Sequence, residues 1–216
     1  MTHKLYQTLS KVMGAFLFPL FCVAGSLFFT SCEETTVIDE YANWKIRNAE
    51  FIDSIATVTK NDTSGKWIRI LSFNLNDTTS TGEIATHDNE DYIYCQIIEQ
   101  GTGTKSPVFT DSVLVNYRGR LIPTISYPEG KVFDQSYKGA FNPSINVPAK
   151  FSVGGVIVGW STALQHMVKG DIWRVYIPAN LAYGSSKQTN IPAYSTLIFD
   201  MNLAGFYPIG TPVPEL

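Results

Sequence analysis

The sequence predicts an α+β protein, in which one short helix packs against a many-stranded antiparallel sheet and a small helical segment precedes both. Three observations support this prediction. From Asp91 onward, strand-like runs alternate with clusters of Gly, Pro, Asn and Ser. Only one short stretch in this region repeats its apolar residues with the period of a helix. A long antiparallel sheet with a single helix on it is an α+β layer arrangement.

Residues 1–31 are predicted to be a lipoprotein signal peptide. Lysines flank a polar opening, an apolar stretch covers residues 12–29, and the segment ends at Ser31-Cys32. A small residue directly before a cysteine resembles the bacterial lipobox, in which the cysteine carries lipid. A transmembrane helix or an ordinary cleaved signal is the alternative, but Pro19 weakens a spanning helix. We therefore expect lipidation at Cys32 and anchoring at the cell envelope, on the periplasmic or surface face of the outer membrane.

Residues 32–90 are predicted to form a tether followed by a helical and strand extension. From Asp39 apolar residues recur at three- and four-residue steps, which predicts a helix that Asp39 can cap and Asn61 can end. Strict alternation over residues 66–73 predicts a strand. The helix is expected to pack its apolar stripe on a neighbouring element, and a dimerisation or partner-binding face is the alternative.

The remaining strands are expected in the second half of the chain, and the last of them indicates how the sheet is covered. In that strand Leu197 and Phe199 share a face, while Ile198 and Asp200 share the other. This alternation predicts one covered face and one wet face, as antiparallel sheets commonly have. The candidate strands are Tyr92–Glu99, Ser112–Leu121, Lys131–Asp134, Ala149–Val153, Asp171–Ile177 and Thr196–Phe206.

The single helix within this region is predicted over Val158–Val168. Its spacing places Trp160, Leu164 and Met167 on one face. Lys169-Gly170 provides a C-terminal stop, because glycine readily adopts the left-handed conformation that ends many helices.

Composition excludes several classes of function. The net charge is −3 at pH 7 and the basic residues are scattered, so a nucleic-acid partner is not expected. Cys22 lies in the signal and Cys32 would carry lipid, which leaves Cys95 as a small strand hydrophobe and excludes an intramolecular disulfide. The acidic cluster at residues 87–91 matches neither a calcium loop nor a zinc pattern. No metal or cofactor is therefore expected.

Residues 91–207 contain a series of short blocks in a fixed order. The blocks are 113–119 (VLVNYRG), 130–134 (GKVFD), 151–153 (FSV), 156–160 (VIVGW), Gly170-Asp171, Ile177-Pro178, 182–184 (AYG) and 191–200 (IPAYSTLIFD). Any one block is weak, but the ordered set is specific, and it resembles the FKBP-type peptidyl-prolyl isomerases. Residues 208–216 would then be a C-terminal tail.

The resemblance implies a twisted antiparallel sheet wrapped around the helix, with a pocket between them. The pocket floor would be Trp160. Tyr183 would stand at the rim, where its hydroxyl can donate to a substrate carbonyl, and Asp134 would accept a hydrogen bond from Tyr117. Ile191 would cover the substrate proline. The implied walls are Tyr117, Phe133, Val156, Ile157 and Phe199.

Two departures from the family pattern concern substrate preference. Ala149 stands at a wall position that is usually aromatic, so the pocket is expected to be wider on one side. The loop of residues 185–190 is more polar than usual, and residues 138–147 form a longer segment than in the shortest members.

The resemblance implies cis/trans isomerisation of Xaa-Pro bonds in proline-containing polypeptides, as an aid to the folding of exported proteins. The residues agree with it, because they are mostly aromatic and aliphatic and suit an apolar enclosure better than a proton shuttle. A macrolide inhibitor is an expected ligand. The alternatives are a non-catalytic module that binds proline segments or chaperones clients on a membrane anchor, and a surface interaction protein that docks through the N-terminal helix.

Overall fold

The computed structural model describes residues 39–212. The predicted signal peptide (1–31), the lipidation site Cys32, the tether up to residue 38 and residues 213–216 lie outside the described residues. Within the described part of the chain, no helix is long and apolar enough to cross a membrane.

A seven-stranded antiparallel sheet forms the body of the fold. The strand order is β1-β2-β6-β7-β3-β4, with β5 pairing to β3 beside β4. The predicted strands are all present, and their ends shift by at most two residues. The strands are β1 (Trp67–Leu71), β2 (Tyr92–Glu99), β3 (Ser112–Arg120), β4 (Val132–Gln135), β5 (Ala149–Ser152), β6 (Ile172–Ile177) and β7 (Leu197–Tyr207).

The inner face of the sheet packs on helix α2 (Val158–Leu164), and this layer holds the main core. Trp160, Leu164 and Met167 are all buried there, as the sequence pattern predicted. The helix is shorter than predicted and stops at Leu164. The amides of His166 and Met167 both bond to the carbonyl of Ala163, so the chain tightens into a closing turn.

The prediction of a wet outer face is wrong, because helix α1 (Trp44–Lys60) covers part of it. Ile52 and Ile55 of α1 pack on Tyr94, Tyr176 and Ile198 from the outer face in a second apolar cluster. Ile198 is consequently only 5% exposed. The apolar stripe of the N-terminal helix is therefore buried within the same molecule.

The N-terminal extension is built into the sheet as well as onto it. Strand β1 pairs antiparallel with β2 from Trp67 opposite Gln96 to Leu71 opposite Tyr92. Residues 39–212 belong to one compact unit. A domain boundary at residue 91 therefore stays a sequence prediction, and the elements before it pack on those after it.

Helix α1 begins later than predicted. Asp39 accepts a hydrogen bond from the Tyr41 amide at 3.0 Å and closes a turn rather than capping the helix. The helix starts at Trp44 after Asn43, which has φ 52°. It ends at Lys60, with Asn61 as the predicted stop.

Candidate active site

A pocket of about 410 Å³ opens between helix α2 and the inner face of the sheet. Strands β3, β4, β5 and β7 supply its walls, and α2 with the turn before it supplies the floor. Nine of the ten lining residues are uncharged, and Asp134 is the exception. The lining residues are Tyr117, Phe133, Asp134, Phe151, Gly155, Val156, Ile157, Trp160, Tyr183 and Phe199.

Trp160 lies at the centre of an aromatic cluster in this pocket. Its ring is 5.1 Å from that of Tyr117 and 5.1 Å from that of Phe199, with the planes at 83° and 84°. Phe151 lies 5.3 Å away at 74°. Edge-to-face contacts of this kind are favourable for aromatic rings and hold each ring in one orientation. The pocket is therefore rigid and apolar before anything binds.

Two glycines allow the rings to take these positions. A Cβ on Gly119 of β3 would lie 2.6 Å from both Phe133 and Phe199, so only glycine leaves room for that pair of rings. A Cβ on Gly159 of α2 would lie 2.4 Å from Ile177 of β6. The close approach of α2 to β6 places the next residue, Trp160, under the pocket.

One hydrogen bond organises the polar edge of the pocket. The Tyr117 hydroxyl donates to Asp134 Oδ2 at 2.7 Å, as the family resemblance implies. Asp134 Oδ1 accepts from the Gln135 amide at 2.8 Å, so the carboxylate is held from both sides. Burial, reinforced by the hydrogen bond to Asp134, raises the pKa of Tyr117. The hydroxyl therefore remains protonated and remains a donor at neutral pH.

The structure brings together eight of the nine pocket residues named from the sequence, and Ile191 is the exception. Its side chain is 6% exposed and packs into the main core, where burial removes apolar surface from water. It also lines a separate groove with Tyr41 and Lys131. That Ile191 covers a bound proline stays a prediction.

The expected widening of the pocket at Ala149 stays a prediction. Ala149 does not line the pocket, whereas Phe151, two residues further along β5, does. The centre of the Phe151 ring lies 5.7 Å from that of the Tyr117 ring. Alternation along β5 puts Ala149 and Phe151 on the same face, so the pattern contained the signal for Phe151 and sequence reasoning missed it.

Tyr183 differs from the other aromatic residues because it is 40% exposed and stands at the mouth of the pocket. It directly precedes Gly184, whose φ of 57° turns the chain into the following loop. The Tyr183 side chain is thus open to solvent at the mouth of the pocket.

The described residues contain neither a cluster that could bind a metal ion nor an accessible reactive thiol. Among residues 39–212, no three His, Cys, Asp or Glu side chains lie together in a manner that could hold a metal ion. Cys95 is fully buried, and burial raises the pKa of its thiol, so the reactive thiolate is disfavoured.

Comparison with known proteins gives consistent similarities. Residues 103–204 match the family model described as FKBP-type peptidyl-prolyl cis-trans isomerase. The chain is 39% identical over 113 residues to the FKBP-type peptidyl-prolyl cis-trans isomerase FkpA of Escherichia coli K12. The matched segment covers 52% of this chain and 37% of that protein. It is 43% identical over 109 residues to the outer membrane protein MIP of Legionella longbeachae, covering 50% of this chain and 41% of that protein.

A solved structure extends the similarity to the fold. The crystal structure of FkpA from Escherichia coli aligns with a TM-score of 0.50 and 30% identity, over 77% of this chain and 64% of that one. This chain therefore spans less than half the length of the two curated relatives and about two thirds of the solved one.

Proposed function

Since this chain contains a domain of the FKBP-type peptidyl-prolyl cis-trans isomerase family over residues 103–204, we propose that the protein catalyses cis/trans isomerisation of Xaa-Pro bonds in polypeptides. The observation that carries the proposal is the pocket floor. Trp160 is 4% exposed and is surrounded by the rings of Tyr117, Phe151 and Phe199. This enclosure has the shape and polarity to hold a proline ring out of water.

Exclusion of water is the main source of the expected acceleration. The planar Xaa-Pro amide resists rotation with a barrier of roughly 18–20 kcal/mol, because resonance gives the C–N bond partial double-bond character. Resonance also makes the planar state more dipolar than the twisted one. An apolar pocket therefore raises the free energy of the planar state more than that of the twisted state. An acceleration of about 10⁴-fold requires only about 5.5 kcal/mol of this differential effect.

The polar groups are proposed to orient the substrate rather than to transfer protons. Tyr117 is buried and its raised pKa keeps it neutral, so it is a poor general acid or base at neutral pH. The bond from Tyr117 to Asp134 fixes the edge of the pocket. Tyr183, exposed at the mouth, is proposed to donate to a carbonyl of the bound chain.

We further propose that the protein is anchored by lipid at Cys32 at the outer membrane and assists the folding of exported proteins. The lipobox-like Ser31-Cys32 after an apolar stretch supports the anchor. The name of the Legionella longbeachae relative, an outer membrane protein, supports the location. Metabolic labelling with a lipid precursor tests the anchor, since Cys32→Ala should abolish incorporation.

The activity is tested by NMR exchange or protease-coupled measurement on a short Xaa-Pro peptide, using a protein that begins at Glu33. Wild-type protein should accelerate exchange, and a macrolide that occupies such pockets should inhibit it. Phe199→Ala should weaken the activity, because it removes one wall of the pocket. The control is Ile84→Ala, at an exposed residue that does not line the pocket.

A binding module without useful turnover is the alternative. A protein of this kind would bind the same peptide and the macrolide while leaving the exchange rate at background. The same assay separates the two functions, because it measures binding from chemical-shift changes and catalysis from exchange.

A further inference from the structure

Helix α1 contacts the loop that follows the pocket-mouth residue Tyr183. We call residues 184–196 the rim loop. Trp44 Nε1 donates to Ser195 Oγ at 2.8 Å, and the Thr196 amide donates to Asn48 Oδ1 at 2.7 Å. All four residues are less than 9% exposed. The first two turns of α1 are thus joined to the end of the rim loop by hydrogen bonds that water does not reach.

The contact with the rim loop, and not helix formation, explains why an asparagine occupies position 48. Asparagine is a poor helix former, and a buried amide costs free energy unless it is hydrogen-bonded. Here the amide is 2% exposed and both of its ends are used, since Nδ2 donates to the Trp44 carbonyl at 2.7 Å while Oδ1 accepts from Thr196. The Thr196 hydroxyl also donates to the Asn48 carbonyl at 3.3 Å.

The contact between α1 and the rim loop is linked to the pocket mouth by a hydrogen bond that joins the two ends of the rim loop. The Tyr194 amide donates to the Gly184 carbonyl at 2.8 Å and closes the loop directly after Tyr183. Ser195 Oγ in turn donates to the Pro192 carbonyl at 2.7 Å. Lys45 of α1 lies 4.6 Å from the centre of the Tyr194 ring. Helix α1 therefore contacts the C-terminal end of the rim loop, and this end is bonded to the N-terminal end beside Tyr183.

The residues at and just before the start of α1 also contact the loop between β3 and β4. Glu40 accepts a hydrogen bond from the Ser126 amide at 3.1 Å, and Arg47 donates to the Pro123 carbonyl at 3.4 Å. A groove of about 400 Å³ lies between Tyr41, Lys131 and the rim loop. The extension thus touches the approaches to the pocket without lining the pocket itself.

We propose that α1 is a working part of the isomerase, and that Trp44 and Asn48 are positioning residues that preset the rim loop for the chain on either side of the substrate proline. This inference rests on the proposed isomerase function. A loop held in place before binding loses little conformational entropy when the substrate arrives. Loosening the loop should therefore weaken substrate binding, while the pocket that lowers the rotational barrier stays intact.

The test compares Asn48→Ala and Trp44→Phe with Ile55→Ala in the full chain. Ile55 is buried in the same helix but packs in the cluster on the outer face of the sheet, away from the rim loop. It therefore controls for a general loss of stability. Ser195→Ala removes the acceptor of Trp44 from the loop side and should reproduce Trp44→Phe. All variants are compared at a temperature where each is folded.

The expected result is a rise in KM with kcat nearly unchanged. Loss of one buried hydrogen bond, at about 1 kcal/mol, corresponds to about a fivefold rise. The rise should be larger for peptides that extend on both sides of the proline than for a minimal Xaa-Pro peptide. The amide NMR shifts of Tyr183 and Gly184 should move in Asn48→Ala and Trp44→Phe, and not in Ile55→Ala.

Failure of the proposed isomerase function and failure of the proposed role of α1 give different results. If wild-type protein does not accelerate exchange, the proposed function fails. If it does, and Asn48→Ala matches Ile55→Ala in KM and in the Tyr183 and Gly184 shifts, the role of α1 is refuted while the isomerase function stands. A fall in kcat at constant KM would also refute the positioning role.

Discussion

The hydrogen bond between Tyr117 and Asp134 gives a prediction whose magnitude follows from the structure. The two oxygen atoms are 2.7 Å apart and the acceptor is a carboxylate. Tyr117 is 8% exposed, whereas Asp134 is exposed. Removing the hydroxyl with Tyr117→Phe leaves a carboxylate that water can solvate. Removing the acceptor with Asp134→Ala leaves a hydroxyl on a largely buried ring without its partner. The second change should therefore cost more.

The expected losses can be given as factors in kcat/KM. Tyr117→Phe should lose roughly 0.5–1.5 kcal/mol, which is about two- to twelvefold. Asp134→Ala should lose roughly 1–3 kcal/mol, or about five- to 150-fold. The double variant should resemble Asp134→Ala alone, because both changes remove one shared interaction.

The assay is NMR exchange on one Xaa-Pro peptide for the wild type, both single variants and the double variant, with folding checked by near-ultraviolet circular dichroism. If the two single losses multiply in the double variant, Tyr117 and Asp134 act independently. The reasoning from the hydrogen bond would then be wrong.

Three further predictions concern stability. Ile52→Ala should lower the free energy of unfolding by about 2–5 kcal/mol in denaturant titration, because Ile52 is 1% exposed, whereas the 59% exposed Ile46→Ala on the same helix should change it by less than about 0.5 kcal/mol. Gly119→Ala should lower the free energy of unfolding by about 1–3 kcal/mol and weaken peptide binding, because the added Cβ would displace two phenylalanine rings of the pocket. An unchanged peptide affinity would count against that geometry. Burial raises the pKa of Tyr94 from 10.0 to about 12, so the folded state holds this proton more tightly than the unfolded state. The stability present below pH 10 should therefore fall by about 2 kcal/mol between pH 10 and 12. Tyr94→Phe should remove that part of the alkaline loss.

Strand positions were predictable because each strand carries its own pattern. In β7, the apolar residues Leu197, Phe199, Met201 and Leu203 recur at every second position and are all buried, while Asp200 and Asn202 lie between them. Alternation of this kind depends only on the two-residue period of a strand. The eight pocket residues could be named from the ordered family blocks, since each block lies on its own element of the fold.

The packing of helix α1 on the outer face of the sheet was not predictable from β7 alone. Asp200 and Asn202 in the outward positions suggested contact with water, and nothing within that strand indicates a helix from a distant part of the chain. The stripe of α1 predicted burial against some neighbour but could not identify which one. Only the packing of Ile52 on Tyr94 and Ile198 settles the choice.

The surroundings of Phe151 and Ile191 depend on how the chain pairs and turns, which the sequence does not record. Phe151 lines the pocket from β5, and Ile191, whose backbone pairs with that of Gln188, packs into the main core. The hydrogen bonds between α1 and the rim loop join residues about 150 positions apart, which no local pattern records.

The most direct test of the central claim is the exchange rate of an Xaa-Pro bond while the peptide is bound. A peptide labelled at proline, held at saturating protein, gives both the bound-state shifts and the rate of cis/trans exchange on the protein. The pocket floored by Trp160 should speed exchange by about 10⁴-fold over the same peptide in water. Bound-state shifts at Trp160 and Phe199 with exchange no faster than in water would contradict the account and identify a binding module instead.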